Sequence, residues 1–263
     1  MKKLLTACAA CVLAGMVSAQ VESVNIVGYQ TVTASGQYFS SGPTFVTVGS
    51  ATADWNLGDI AVSGMDPFTD FIQFLSPNTA GTVLSATYID AVADAAYGAG
   101  DGALIGWWDY NDVGGTSLDA EVFAAGTGFL CNLTSTGVQF TYSGEVLQGD
   151  TALDLAGQKY PMIANLTPVD LTLADVTATG MDPFLDFIQF LSPTTAGTVV
   201  SATYIDAVAD AAYGAGDGAL IGWWDYNDVG GTSLDTTAFP AGASVLGNFT
   251  STGVQVIFPN PVQ

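Results

Sequence analysis

Hydrophobic residues along this chain come in short runs of β-branched and aromatic side chains, broken by clusters of Gly, Pro, Asn and Asp. Runs of this length between turn-forming clusters suit strands rather than helices. They predict strands over 25–33, 44–48, 70–75, 83–89, 103–108, 128–133 and 138–146. Further strands are expected over 186–191, 199–205, 219–224, 243–249 and 254–258. Residues 89–97 break the pattern. Their alanines favour helix and Asp90 is placed to cap one, so a short helical turn is expected there and again at 205–213. The fold class that follows is all-β: two tandem β-sandwich or partly closed barrel-like domains with a short helix in each.

The division into two rests on a duplication. Residues 64–119 return as 180–235, an offset of 116, and only three of the 56 positions differ: Thr69/Leu185, Asn78/Thr194 and Leu84/Val200. Looser matches continue on both sides, with 132–139 returning as 248–255. A period this long is a whole domain, not a solenoid unit. The expected layout is a leader over 1–19, a first β domain over 20–147 that includes an N-terminal strand, and a duplicate over 148–263. Whatever one copy carries the other carries too, which favours two equivalent surfaces over one active site shared between halves.

Charge narrows the chemistry. The chain has 25 acidic residues, three lysines, no arginine and no histidine. Without basic residues it cannot bind a phosphate backbone by counterion release, so nucleic acid is excluded as a partner. Without histidine there is no Ser-His-Asp arrangement and no imidazole for zinc. Lys2 and Lys3 precede an apolar stretch from Leu4 to about Gly15 and the small residues Val17-Ser18-Ala19. Residues 1–19 therefore read as a secretory signal peptide. The apolar run is shorter than the roughly 20 residues that span a bilayer, so no transmembrane segment is expected once it is removed. That leaves one lysine, Lys159, against all 25 carboxylates. Cys8 and Cys11 leave with the leader, and Cys131 follows an apolar run as a buried, inert thiol.

The stretch 101–115, repeated at 217–231, is the most distinctive chemically. A strand ending in Trp107 and Trp108 runs into Asp109, Tyr110, Asn111 and Asp112; the copy has Trp223, Trp224, Asp225, Tyr226, Asn227 and Asp228. Adjacent strand residues point to opposite faces, so one indole of each pair should pack inside while the other lies outside with the tyrosine. An exposed indole suits stacking on a sugar ring, and a neighbouring carboxylate can accept hydroxyl hydrogen bonds. Trp107, Trp108, Asp109, Tyr110, Trp223, Trp224, Asp225 and Tyr226 are thus candidate glycan-binding residues. Asp109, Asn111 and Asp112, with Asp225, Asn227 and Asp228, are hard oxygen donors that could take calcium. Their spacing departs from an EF-hand loop, and ordinary Asx turns would use the same residues.

Val24-Asn25-Ile26-Val27-Gly28-Tyr29, the segment Ala125-Gly126-Thr127-Gly128-Phe129, and Gly144-Glu145-Val146 together resemble a group of secreted bacterial tandem β-repeat proteins. In that group a V-G-Y strand precedes domains with Gly-rich "aGtGF" strands. The second copy departs from the pattern, having Ala241-Gly242-Ala243-Ser244-Val245 instead. The resemblance implies secretion and β architecture and brings no catalytic residues. The expected role is that of a secreted, non-catalytic structural or adhesive protein of the cell surface or extracellular matrix, with the periplasm as another location. It could self-associate with divalent cations. The alternative is a tandem carbohydrate-binding module that takes a surface glycan. Residues 21–32 could add as a strand to a neighbour's sheet.

Overall fold

The computed structural model describes residues 27–34, 36–48, 53–75, 82–155, 158–191 and 198–259. The expected leader and residues 21–26 lie outside these. The first repeat comprises β1 (Val27–Thr33), β2 (Tyr38–Ser41), β3 (Asp54–Asn56), β4 (Ile60–Ser63), β5 (Phe71–Leu75), β6 (Val83–Ile89), helix α1 (Ala91–Tyr97), β7 (Gly106–Asp109), β8 (Val122–Ala124), β9 (Phe129–Asn132) and β10 (Gln139–Glu145). The second comprises β11 (Thr151–Asp154), β12 (Met162–Ala164), β13 (Leu171–Thr172), β14 (Thr177–Thr179), β15 (Phe187–Leu191), β16 (Val199–Ile205), α2 (Ala207–Tyr213), β17 (Gly222–Asp225), β18 (Ala238–Phe239), β19 (Ser244–Asn248) and β20 (Gln255–Phe258). The protein is all-β, and each strand of the second repeat stands ten numbers after its counterpart.

Three antiparallel sheets build each repeat. In the first they run β2-β9-β5-β6-β7, β1-β10-β4 and β3-β8; in the second, β12-β19-β15-β16-β17, β11-β20-β14 and β13-β18. The period of two along each strand turns one face inward. Ile72 and Phe74 of β5, Phe129 and Cys131 of β9, Ile60 and Val62 of β4, and Phe140 and Tyr142 of β10 meet in one core. Trp55 of β3 stacks on Phe123 of β8 at 4.5 Å and 21°, closing one side of it. A second core of corresponding residues fills the second repeat. Cys131 is fully buried, and burial pushes its thiol well above the ordinary range, as expected for an inert core cysteine.

Two strand expectations are corrected. Residues 44–48 form no strand: Phe45 and Val46 are buried, and only Val46 bridges, to Glu145. The strand expected from 103 begins at Gly106, because residues 101–104 turn. The N-terminal strand pairs inside its own repeat, Val27 opposite Glu145 through Thr33 opposite Gln139, so residues 27–33 are already partnered along β10. Among the described residues, no helix is long and apolar enough to cross a membrane.

Loops are held by carboxylates. Asp70 has no solvent exposure. One of its oxygens accepts from the backbone N–H and hydroxyl of Thr134 (2.6 and 2.9 Å) and from Ser135 N–H (3.1 Å), and the other from Asp66 N–H (2.9 Å). Asp186 repeats this with Thr250, Ser251 and Asp182. Burial alone would raise both carboxyls. The hydrogen bonds from Ser135, Asp66 and Thr134, and from their copies, outweigh it and hold both below the ordinary carboxylate value. A group lowered in this way contributes stability that is complete above its unfolded value of about 4 and is lost as pH falls through the lower folded value. Urea midpoints should therefore be steady from neutral pH down to about pH 5 and fall steeply below about pH 4. Asp70→Ala, which strands three backbone donors, should cost about 3 kcal/mol at pH 7.

Candidate functional site

The near-identical block 64–119 folds as β5, β6, α1, β7 and the loops between them. Helix α1 starts where Asp90, in extended conformation, accepts hydrogen bonds from Val92 and Ala93 N–H. Its second oxygen takes Gly64 N–H at 3.2 Å. Asp94, one turn on, is buried, and its two oxygens accept from Gly102 N–H (2.9 Å) and Leu104 N–H (3.2 Å). The two carboxylates share a helix face without standing idle: one caps the helix and the other folds the following loop. That loop presents the Leu104 carbonyl, which accepts the Trp108 indole N–H at 2.7 Å.

The tandem indoles separate as strand alternation requires. Trp107 is fully buried, its N–H donating to Ile60 C=O at 2.8 Å and its ring meeting Tyr88 edge-on at 5.2 Å. Trp223 does the same with Val176 and Tyr204. As glycan platforms Trp107 and Trp223 are therefore corrected to core residues. Trp108 and Trp224 are half-buried on the outer face, opposite Thr87 and Thr203 of the neighbouring strands. Gly106 enters this strand at φ +142°, and a Cβ there would collide with the Asp119 carboxylate, which accepts Trp107 N–H at 2.8 Å. Only glycine suits both demands.

The loop after the tryptophans is tied to itself. Asp109 accepts from the Asn111 backbone N–H (2.8 Å) and side-chain amide (3.2 Å). Asp112 accepts the Thr116 hydroxyl at 2.6 Å, while its carbonyl takes Gly115 and Thr116 N–H. Asp225, Asn227 and Asp228 repeat the pattern. Asp109 forms an Asx turn, and one oxygen of each aspartate proposed for calcium already accepts from its own loop. Among the described residues, no three Asp, Glu, Cys or His side chains converge to hold a metal ion. The Tyr110 hydroxyl donates to Phe68 C=O at 2.9 Å, and its ring packs on Phe71 at 4.7 Å. Tyr226 is held likewise by Phe184 and Phe187.

The open aromatics are others. Phe68 and Tyr97 are 54% and 58% exposed and meet edge-to-face at 4.8 Å, with Val92 of the helix 78% exposed. Phe184, Tyr213 and Val208 repeat the patch, and Leu185 extends it. With Tyr110 and Phe71 they form an aromatic strip in each copy. Sequence reading missed Phe68 and Tyr97, since an aromatic after Met65-Asp66-Pro67 or at a helix end reads equally well as core. The available signal was helical spacing: Tyr97 stands three and seven residues after Asp94 and Asp90.

The fold and strip define a two-repeat, all-β protein with a paired surface. No protein-family model, curated protein or solved structure matches the chain. Asp94→Ala should cost about 1–2 kcal/mol in urea unfolding, because two part-buried N–H donors lose their acceptor. It should also shift tryptophan emission to longer wavelength as the Leu104 loop loosens over Trp108. An unchanged spectrum would separate Asp94 from the indole.

Proposed function

We infer that this is a secreted, non-catalytic adhesive or structural protein of the bacterial cell surface or extracellular matrix, presenting one surface twice. The observation that carries this reading is where the two copies agree. The 53 identical positions of residues 64–119 and 180–235 occupy the outer three strands of each five-stranded sheet with the adjoining helix and loops. The exposed Phe68, Val92 and Tyr97, with Phe184, Val208 and Tyr213, lie in that block. Twin surfaces on one chain gain avidity on a repetitive target, where two weak sites act together. The lack of histidine and arginine supports a non-catalytic role, as does the engagement of the Asp109 and Asp112 carboxylates by the Asn111 N–H and the Thr116 hydroxyl of their own loop. At a formal charge of −22, self-association would depend on salt or divalent cations to screen repulsion.

A carbohydrate ligand is the second reading, favoured by the partly open outer face of Trp108 and Trp224 beside Asp109 and Asp225. Negative-stain imaging with and without calcium, alongside pull-down on insoluble polysaccharides, separates the two. Ordered filaments or sheets support assembly; discrete particles that sediment with a polysaccharide support the glycan reading. Discrete particles that bind nothing in either assay would defeat both. The double variant Tyr97→Ala/Tyr213→Ala should weaken whichever association is seen at least tenfold through lost avidity, about 1.4 kcal/mol, while leaving the melting temperature within about 2 °C.

A further inference from the structure

The repeats meet through strands β2 and β9 of the first and β12 and β19 of the second. Sheet register fixes which residues correspond. Ser41 pairs with Phe129, and Ile163 pairs with Val245, which is 116 residues after Phe129. Ser41 therefore corresponds to Ile163, and Gly42 to Ala164. The bridges between repeats are Ser41 with Ala243 and Ile163 with Thr127, and Ala243 is itself the counterpart of Thr127. Gly42 N–H donates to Gly242 C=O at 3.1 Å, and its counterpart Ala164 N–H donates to Gly126 C=O at 2.8 Å. A Cβ on Gly126 would collide with Leu153 of the other repeat, and one on Gly242 would lie 2.5 Å from Val32, the counterpart of Leu153. Each of these backbone contacts thus has a mate with the roles exchanged, while the Ser40, Ser41 and Ser244 hydroxyls add bonds that only one repeat can make. That is the signature of an isologous, two-fold interface inside a single chain.

On such an axis a residue faces its own counterpart. A Cβ placed on Gly42 would lie 2.5 Å from the Ala164 Cβ, and one on Gly128 would lie 2.5 Å from the Ser244 Cβ. Neither Gly42 nor Gly128 has positive φ, so space and not backbone conformation requires glycine. The fold itself accepts a side chain at both positions, because Ala164 and Ser244 carry one there. The facing repeat stands closest, at 2.5 Å in both cases, with backbone of the same repeat behind it: Gly128 Cα at 2.9 Å from a Cβ on Gly42 and Ser41 C=O at 3.0 Å from one on Gly128.

We propose that the junction is a homodimer interface captured within one chain, and that the axial pairs Gly42/Ala164 and Gly128/Ser244 restrict it to unlike repeats. Two second-repeat faces cannot meet, since Ala164 and Ser244 would each collide with their own copies. The inference is independent of the proposed function. Its test is exchange across the axis in the full chain, followed by calorimetry. Gly128→Ser should lower the melting temperature by roughly 4–10 °C. Ser244→Gly, which only opens space, should lower it by roughly 2–4 °C. The double variant Gly128→Ser/Ser244→Gly restores one side chain per axial pair and should return to within about 2 °C of the parent. If Gly128→Ser does not fold, recovery of folded protein by the double variant supports the proposal. A tolerated Gly128→Ser, or a double variant no better than Gly128→Ser alone, overturns it.

Discussion

The short carboxylate accepting a backbone N–H is the interaction on which the rest of this structure depends. Asp outnumbers Glu 22 to 3, and cations are nearly absent. In place of ion pairs, Asp66, Asp70, Asp90, Asp101 and Asp109 each accept a main-chain N–H two to four residues away, and Asp94 and Asp119 accept one eight and twelve residues away. Only a short side chain reaches backbone two to four residues away in a tight turn, which accounts for the preference for Asp. Charge-assisted bonds of this kind are roughly twice as strong as neutral ones. A chain with a high glycine content and many irregular connections gains order from them that its short strands do not supply. They also make acidity compatible with folding, because each carboxylate is stabilised locally.

The near-identical block lies away from the junction, whereas the junction strands differ between the repeats. Beyond the axial glycines, the junction contains a paired change. In the first repeat the buried Ser41 hydroxyl bonds Tyr142 and also donates to Gly242 C=O across the junction at 2.6 Å. At the corresponding positions the second repeat has Ile163 and Phe258. A buried hydroxyl needs a partner, so both polar groups are present together in one repeat and absent together in the other. An even duplication would have left both halves alike. These differences are what two halves need in order to pack on one another around an axis that would otherwise be perfectly symmetric.

Much of the fold was legible in the sequence because local chemistry and tertiary position agreed. The strand Val83–Ile89 and its copy Val199–Ile205 were read to the residue, and the Asp90 cap set the start of the helix. The misses have physical causes. Residues 44–48 are as apolar as a strand, but they pack their side chains with only a single bridge, Val46 to Glu145, in place of a ladder. Strands such as Asp54–Asn56 and Leu171–Thr172 are too short for a period to register. The pair Trp107/Trp108 announced one inner and one outer indole, yet which was which depended on the direction in which Gly106 launches the strand. The exposed Phe68–Tyr97 contact joins a loop to a helix end, and no spacing rule links the two.

The order of the five-stranded sheet ties these points together. Its strands run from β2 and β9 at the junction, through β5, to β6 and β7 at the far edge. Residues that must fit the other repeat lie on the first two strands, and their identity is set by a facing surface that differs between halves. Residues on the far strands face no such constraint from the fold, since α1 and the Trp loop are held by carboxylates within their own repeat. Internal packing accounts for part of that near-identity, since Ile72, Phe74, Ala86 and Trp107 are buried there, with Leu84 for Val200 the one exchange on these strands. The identities that packing leaves unaccounted for are the exposed ones, Phe68, Val92 and Tyr97 with Phe184, Val208 and Tyr213.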